Sequence, residues 1–350
     1  MSHQVLIQPS GHRFDAPEGE SVLAAALAHG FNLPFGCRNG ACGSCKGKIL
    51  EGRVDYGQYA SAVLSDLEKN AGYALFCCAK PHTDLVIECR EIHANKDIVV
   101  KRLPCRVAKL ERVADDVMIV SVKLPASERL QFLPGQYIDF ILKDGLRRSF
   151  SIANAPHDDE FLVVHVRLVQ GGSFTTHVFN TMKDREILRF EGPLGNFYLR
   201  EDSAKPILLV ASGTGFAPIK SILEAAFAKG IDRPMTLYWG GRRPKDLYLA
   251  TLAEQWAREH ANFRFIPVIS DALPEDGWSG RSGFEHRAVI ADVPDMSGHQ
   301  VYACGVPVMV DSARADFTRD CKLPLEEFFA DSFTTSADLA ASQVTSQPPR

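Results

Sequence analysis

The sequence predicts a multidomain protein of mixed α+β and α/β class: a small cysteine-bearing α+β domain, an antiparallel β-barrel, and a parallel sheet flanked by helices. Three observations predict it. Cysteines crowd the first third of the chain, the middle is a succession of β-branched alternating runs, and the last part settles into apolar strand, glycine turn and amphipathic helix. At 350 residues the chain is long enough for two or three domains that each bury a core.

Composition narrows the function. With 45% hydrophobic and 23% charged residues and a net charge of -4, the chain lacks the basic excess that a nucleic-acid partner requires. The opening MSHQVLIQPSGHRF has neither the basic start nor the apolar run of a secretion signal, and no stretch approaches the roughly 18 apolar residues of a membrane span. A cytoplasmic protein is therefore expected. Nine cysteines, an odd number clustered near one end, fit a secreted disulfide framework poorly. In a reducing compartment such clustering points to metal binding or redox chemistry.

Each part has its own pattern. Residues 1–93 hold the cysteine cluster and a short helix from Ser21, its N-cap, to His29, closed by Gly30. Residues 94–103, within HANKDIVVKRLP, read as a linker. Residues 104–200 form the barrel: VMIVSVKL is β-branched, and FLVVHVRLV alternates His165 and Arg167 with Val164, Val166 and Leu168, as in a half-buried antiparallel strand. In residues 201–333, PILLVA is an apolar strand, SGTGFAP a turn and IKSILEAAFAKG a helix; MTLYWG, FRFIPVIS and QVYAC are further strands of a parallel sheet covered on both faces. Residues 334–350 are small and polar, the composition of a disordered tail.

The stretch FGCRNGACGSCKGKI places Cys37, Cys42 and Cys45 in C-x4-C-x2-C spacing, that of a [2Fe-2S] cluster, which requires one more distant thiolate. Cys77 and Cys78, in GYALFCCAKP, are the candidates. A structural zinc site would want two separated C-x2-C pairs, and here there is one. Gly36, Gly40 and Gly43 let backbone N–H groups approach cluster sulfurs. The domain resembles plant-type ferredoxins, which implies their β-grasp fold. Their GYxLxC phrase followed by Pro-x-x-Asp maps the fourth ligand onto Cys77 and leaves Cys78, with Cys89 and Cys105, as small hydrophobes.

In the middle domain RRSFSIAN resembles the Arg-x-Tyr-Ser signature of the ferredoxin-NADP reductase superfamily through Arg148, Phe150 and Ser151, with Ser149 between them. The residue types suit the chemistry. A guanidinium forks onto a flavin phosphate, an aromatic ring covers the isoalloxazine, and a small hydroxyl approaches flavin N5. Phe150 keeps the stacking surface and lacks the tyrosine hydroxyl. GGSFTTHVF matches the superfamily's second phrase through Gly172, Thr175 and Val178, with Ser173 within it, a glycine turn into a helix start that offers N–H groups to the flavin diphosphate. EGPLGNFYL resembles the end of the superfamily's barrel.

ASGTGFAPI has the superfamily's Gly-x-Gly-x-x-Pro form, in which Gly213, Thr214 and Gly215 admit a dinucleotide diphosphate and Pro218 suits the first helical turn. Ser212 stands where many relatives have glycine. YACGVPVMV resembles the Cys-Gly-x-Pro phrase at a strand end, implying that Cys304 lies near nicotinamide C4 and that Gly305 leaves room for the ring. In GRRPKDLY, Arg242, Arg243 and Lys245 could attract a 2′-phosphate, whereas Asp246 would repel one or bind a 2′-hydroxyl. The resemblance favours NADH. Phe333, in EEFFADSF, occupies the place of an aromatic that covers the flavin face in many members, and Phe328 and Phe329 read as core. The histidines form no ligand cluster, and no Ser-His-Asp or paired-carboxylate arrangement stands out.

Over residues 1–333 the chain resembles iron–sulfur flavoprotein reductases, and the resemblance implies electron flow from NADH to FAD to [2Fe-2S] to a protein acceptor. FAD is implied because an N-terminal ferredoxin accompanies FAD in this family. Two acceptors stay open: a dehydrase acting on a CDP-deoxysugar, or an oxygenase component. A redox sensor or carrier with incidental NADH turnover is the reading from another class; a disrupted cofactor motif would mark it, and none is disrupted. A monomer is expected.

Overall fold

The computed structural model describes residues 2–41, 43–60, 63–89 and 98–334. Two compact units make up the chain, one of residues 98–330 and one of the residues before and after them. Residues 90–97, in the expected linker, and the expected tail from residue 335 lie outside the described residues.

The first unit runs β1 (Ser2–Gln8), β2 (Arg13–Pro17), α1 (Val22–Ala28), β3 (Lys46–Glu51), β4 (Val54–Asp55), α2 (Asp66–Asn70), β5 (Tyr73–Leu75), β6 (Lys80–Pro81) and β7 (Leu85–Glu88). Its sheet has the order β2-β1-β7-β3-β5, with β1 antiparallel to β2 and parallel to β7. Strand alternation puts Val5 and Ile7 in the core beside Ile87. Helix α1 starts where expected, because the Ser21 hydroxyl accepts the Ala24 N–H at 3.2 Å. Its first N–H groups also find carbonyls outside the helix, Val22 on Ala79 at 2.9 Å and Leu23 on Phe76 at 2.8 Å. These bonds tie the helix to the segment that carries Cys77.

In the second unit the barrel strands are β8 (Lys101–Ala114), β9 (Val117–Lys123), β10 (Tyr137–Ile141), β11 (Arg147–Ser151), β12 (Leu162–Arg167) and β13 (Ile187–Leu194), with α3 (Ser173–Asn180) between the last two. The sheet order is β11-β10-β13-β8-β9-β12, and an antiparallel bridge between Ile152 and Val164 joins its two ends. Closure removes the exposed edges. Val120, Ile138, Phe140, Val164 and Phe190 fill the interior. Strand β8 begins at Lys101, inside the expected linker, because Lys101 and Arg102 pair with Gly192 and Glu191 of β13. Glu191 accepts both Arg147 Nη1 at 2.7 Å and Nη2 at 3.1 Å and also pairs with Arg102. The Arg147 hydrogen bonds, more than any other cause, push its carboxyl down to about 2.

Strand β12 departs from expectation. His165 is only 5% exposed, so both faces of this strand are covered. Tyr248, far along the chain, sits against the outward face and supplies the cover.

The remaining elements are β14 (Ile207–Ser212), α4 (Phe216–Ala228), β15 (Met235–Gly241), α5 (Ala250–Glu259), β16 (Phe263–Ile269), β17 (Arg281–Ser282), α6 (Glu285–Asp292), β18 (Gln300–Gly305), α7 (Pro307–Asp320) and β19 (Phe328–Ser332). The sheet order is β17-β16-β15-β14-β18-β19, and the pairs from β17 through β18 are parallel. Strands buried on both faces explain the unbroken apolar run in β14. The order reverses at β14, which pairs with β15 on one side and β18 on the other. Loops leaving the carboxyl ends of β14 and β18 therefore stand side by side, where open parallel sheets bind ligands. Among the described residues no helix is long and apolar enough to cross a membrane.

Candidate functional site

The cysteine loop brings part of its expected set together. Ala41 donates its N–H to Cys37 Sγ at 3.3 Å. Hydrogen bonds from Cys45, and then from Cys78 and the Gly40 backbone, hold the Cys77 thiol well below its usual value. An N–H or S–H aimed at a sulfur favours the thiolate, the form that iron binds. Gly40 has φ of +78°, and a Cβ there would lie 2.8 Å from Cys78 Sγ and 2.9 Å from Gln58 O. Only glycine lets this loop close over the two adjacent thiols. Cys78 Sγ lies 3.5 Å from Cys77 Sγ. Among the described residues no three potential ligands converge into one metal site, and Cys42, the middle member of the motif, lies outside them. Cys89 and Cys105 are buried, as expected of small hydrophobes, and burial pushes the Cys105 thiol up to about 12.

On β11, alternation separates the expected flavin residues into two sets. Phe150 joins Phe140 and Phe174 in an aromatic group, with ring centroids 5.9 and 5.4 Å away. Arg148 lies two residues back on the same face, its Nη1 donating to the Arg147 carbonyl at 2.8 Å. Ser149 lies on the opposite face and donates to Asp139 Oδ1 at 2.6 Å, which commits its hydroxyl to the barrel. Ser151 is 5% exposed, and its hydroxyl has no hydrogen-bond partner. A buried orphan hydroxyl is costly unless a ligand satisfies it. A flavin nitrogen would supply such a partner.

The second flavin phrase behaves differently. Thr175 accepts the Val169 N–H at 3.1 Å, and its hydroxyl also approaches the Gly172 carbonyl at 3.2 Å, so it locks the turn from inside. Gly172 caps α3 with no side-chain bond. Ser173, exposed, is the first helical residue. The uncapped N–H groups at this helix start remain the part suited to a diphosphate.

At the nucleotide edge, Gly213, Thr214 and Gly215 form a single tight turn between β14 and α4, and Pro218 falls in the first turn of the helix. A Cβ on Gly215 would land on the Cys304 carbonyl. Gly305 has φ of +146°, a conformation that in practice needs glycine. The Ser212 hydroxyl, immediately beside it, accepts the Val306 N–H at 3.0 Å. The departure from glycine at position 212 therefore adds a brace between the two ligand loops. Cys304 is fully buried at the end of β18.

The loop after β15 spends most of its charge internally. Asp246 Oδ2 accepts the N–H groups of Arg242 at 3.0 Å and Arg243 at 3.2 Å, so this carboxylate shapes the loop. Arg243 pairs with Asp276 at 2.7 Å and Lys245 with Asp115 at 2.7 Å. Arg242 reaches Asp246 from an exposed position. Each of the three cations thus has a carboxylate neighbour, Arg242 through Nε alone.

Three families match the chain in order: the 2Fe-2S iron-sulfur cluster binding domain over residues 5–82, the oxidoreductase FAD-binding domain over 104–198, and the oxidoreductase NAD-binding domain over 209–315. The chain is 39% identical over 336 residues to the CDP-6-deoxy-L-threo-D-glycero-4-hexulose-3-dehydrase reductase of Yersinia pseudotuberculosis, covering 96% of this chain and 100% of that protein. It is 36% identical over 338 residues to reductase component 1 of terephthalate 1,2-dioxygenase from a Comamonas species, covering 96% and 98%. The crystal structure of a cytochrome P450 reductase from Amycolatopsis is similar with a TM-score of 0.76 at 33% identity, covering 95% of this chain and 99% of that one.

Proposed function

The chain belongs to the iron–sulfur flavoprotein reductases of the ferredoxin-NADP reductase superfamily, and from that premise we propose that its acceptor is a CDP-deoxysugar 3-dehydrase, making it the reductase of CDP-4-dehydro-6-deoxyglucose reduction. It is an NAD(P)H-dependent oxidoreductase with FAD and a [2Fe-2S] cluster. FAD held by the barrel would supply the conversion between the two electrons of a hydride and the single electrons that a [2Fe-2S] cluster accepts. The observation that carries the choice of acceptor is the full-length likeness to the Yersinia dehydrase reductase. The likeness to an oxygenase component supports the second reading. Reconstitution decides between them. With NADH, a CDP-6-deoxyhexulose 3-dehydrase and pyridoxamine phosphate, the protein is expected to give reduced sugar; turnover only with an oxygenase component would reverse the assignment.

Residues take their roles within this reading. Cys37, Cys42, Cys45 and Cys77 hold the cluster. Arg148 and the start of α3, from Gly172, bind the flavin phosphates, Phe150 covers the ring, and Ser151 offers its buried hydroxyl at N5. Gly213 to Gly215 seat the dinucleotide diphosphate, and Cys304 and Gly305 form the wall for nicotinamide. The functional domains run 1–93, 104–200 and 201–333, and the protein acts as a cytoplasmic monomer.

Coenzyme choice follows from the paired cations of the β15 loop. NADH is expected to show the higher kcat/KM, measured by steady-state reduction of a dye with each coenzyme; a higher value for NADPH would overturn it. Phe333 serves as the removable cover of the flavin face. Replacing it with alanine should change NADH affinity and the rate of flavin reduction, since a stacking contact is worth about 1 kcal/mol, with FAD still bound. Unchanged rapid-mixing kinetics would leave no role for the ring.

A further inference from the structure

The outward face of β12 meets the nucleotide domain through His165 and Arg167, which none of the cofactor motifs contains. His165 Nδ1 lies 2.8 Å from the Tyr248 hydroxyl. The other ring nitrogen, Nε2, is buried with no partner. The Tyr248 ring stands edge-on to His165 at 5.4 Å and 80°, and edge-on to Trp239 at 5.2 Å and 89°. Trp239 in turn lies flat on Phe216 at 3.9 Å and donates its indole N–H to the Gly213 carbonyl at 3.0 Å. A second line starts two residues along the same strand. Arg167, held by Asp116 at 2.8 Å, lays its guanidinium so close to Gly213 that a Cβ there would lie 2.3 Å from Nη1. Both lines run from a flavin-barrel strand to the first residue of the diphosphate turn.

We propose that His165 and Tyr248 are positioning residues for hydride transfer: their hydrogen bond sets the diphosphate turn of the nucleotide domain against the flavin barrel. The proposal rests on the reading that NADH reduces the bound FAD. A pair that only filled space would use two apolar side chains, which avoid the unsatisfied Nε2. A directional bond is retained where the angle between two packed bodies matters, because small misplacements of reacting atoms cost large factors in rate. Burial, chiefly, pushes the His165 imidazole down to about 3, so the strut stays uncharged over the working pH range.

The test uses the full-length holoprotein and rapid-mixing reduction of FAD by NADH with no acceptor present. Tyr248→Phe keeps the ring contacts and deletes the hydroxyl. The expected result is flavin reduction slowed by about tenfold, with the NADH dissociation constant within about twofold and an altered isotope effect from 4-deuterated NADH. His165→Asn, whose amide reaches the Nδ1 position, is expected to keep most of the rate. The double variant Tyr248→Phe/His165→Leu removes both polar partners, so its melting temperature should recover while the rate stays low. Recovery of the rate along with the melting temperature would reduce the pair to a structural role, and a wild-type rate in Tyr248→Phe would overturn the proposal. If wild-type protein itself fails to bleach its flavin with NADH, the cofactor reading fails rather than the strut.

Discussion

Cys77→Ser is expected to abolish the visible absorption of the [2Fe-2S] cluster and to reduce electron delivery to any protein acceptor to background, while NADH still bleaches the flavin and a dye still takes its electrons. The reasoning is local. Hydrogen bonds from Cys45, Cys78 and the Gly40 backbone favour the charged form of Cys77, and a serine hydroxyl is a far weaker donor to iron than a thiolate. Its neighbour is the control. Cys78→Ser removes a sulfur 3.5 Å away and should leave the spectrum intact. A normal cluster in Cys77→Ser, or its loss only in Cys78→Ser, would move the fourth ligand by one residue. Flavin reduction separates this outcome from general unfolding, because the flavin domain forms a different compact unit.

Gly215→Ala carries the second large effect, at the other end of the electron path. The backbone there has φ of -58°, which alanine adopts without strain, so the consequence is steric alone. The added methyl would collide with the Cys304 carbonyl and come within 2.9 Å of Gly305 Cα. Backbone cannot rotate aside as a flexible side chain can, so the Gly213–Gly215 turn and the Cys304–Gly305 loop must separate. A displacement of about 1 Å near the reacting atoms costs roughly a hundredfold in rate. NADH-dependent flavin reduction should therefore fall by about that factor, with FAD content unchanged and dithionite still reducing both centres. Full NADH activity would show that the two loops need not touch.

The features legible in the sequence were those carried by neighbouring residues. The C-x4-C-x2-C spacing, the Ser21 cap of α1, and the turn from apolar β14 through Gly213 to α4 each depend on a few consecutive positions. Side chains committed across the fold were not legible. Thr175 and Ser149 stand in flavin motifs, yet one locks its own turn and the other serves Asp139. Asp246 has the residue type of a ribose ligand, but most of its capacity goes to the loop's own N–H groups. His165 alternated like a water-facing residue because the ring that covers it, Tyr248, lies 83 positions away. Sequence by itself determined the order of three cofactor domains and their chemistry, because spacing and short-range backbone requirements are written in adjacent residues. Only the tertiary structure decided which hydroxyls and carboxylates remain available for a cofactor, because each such group goes to the nearest unsatisfied partner, and long-range folding chooses that partner.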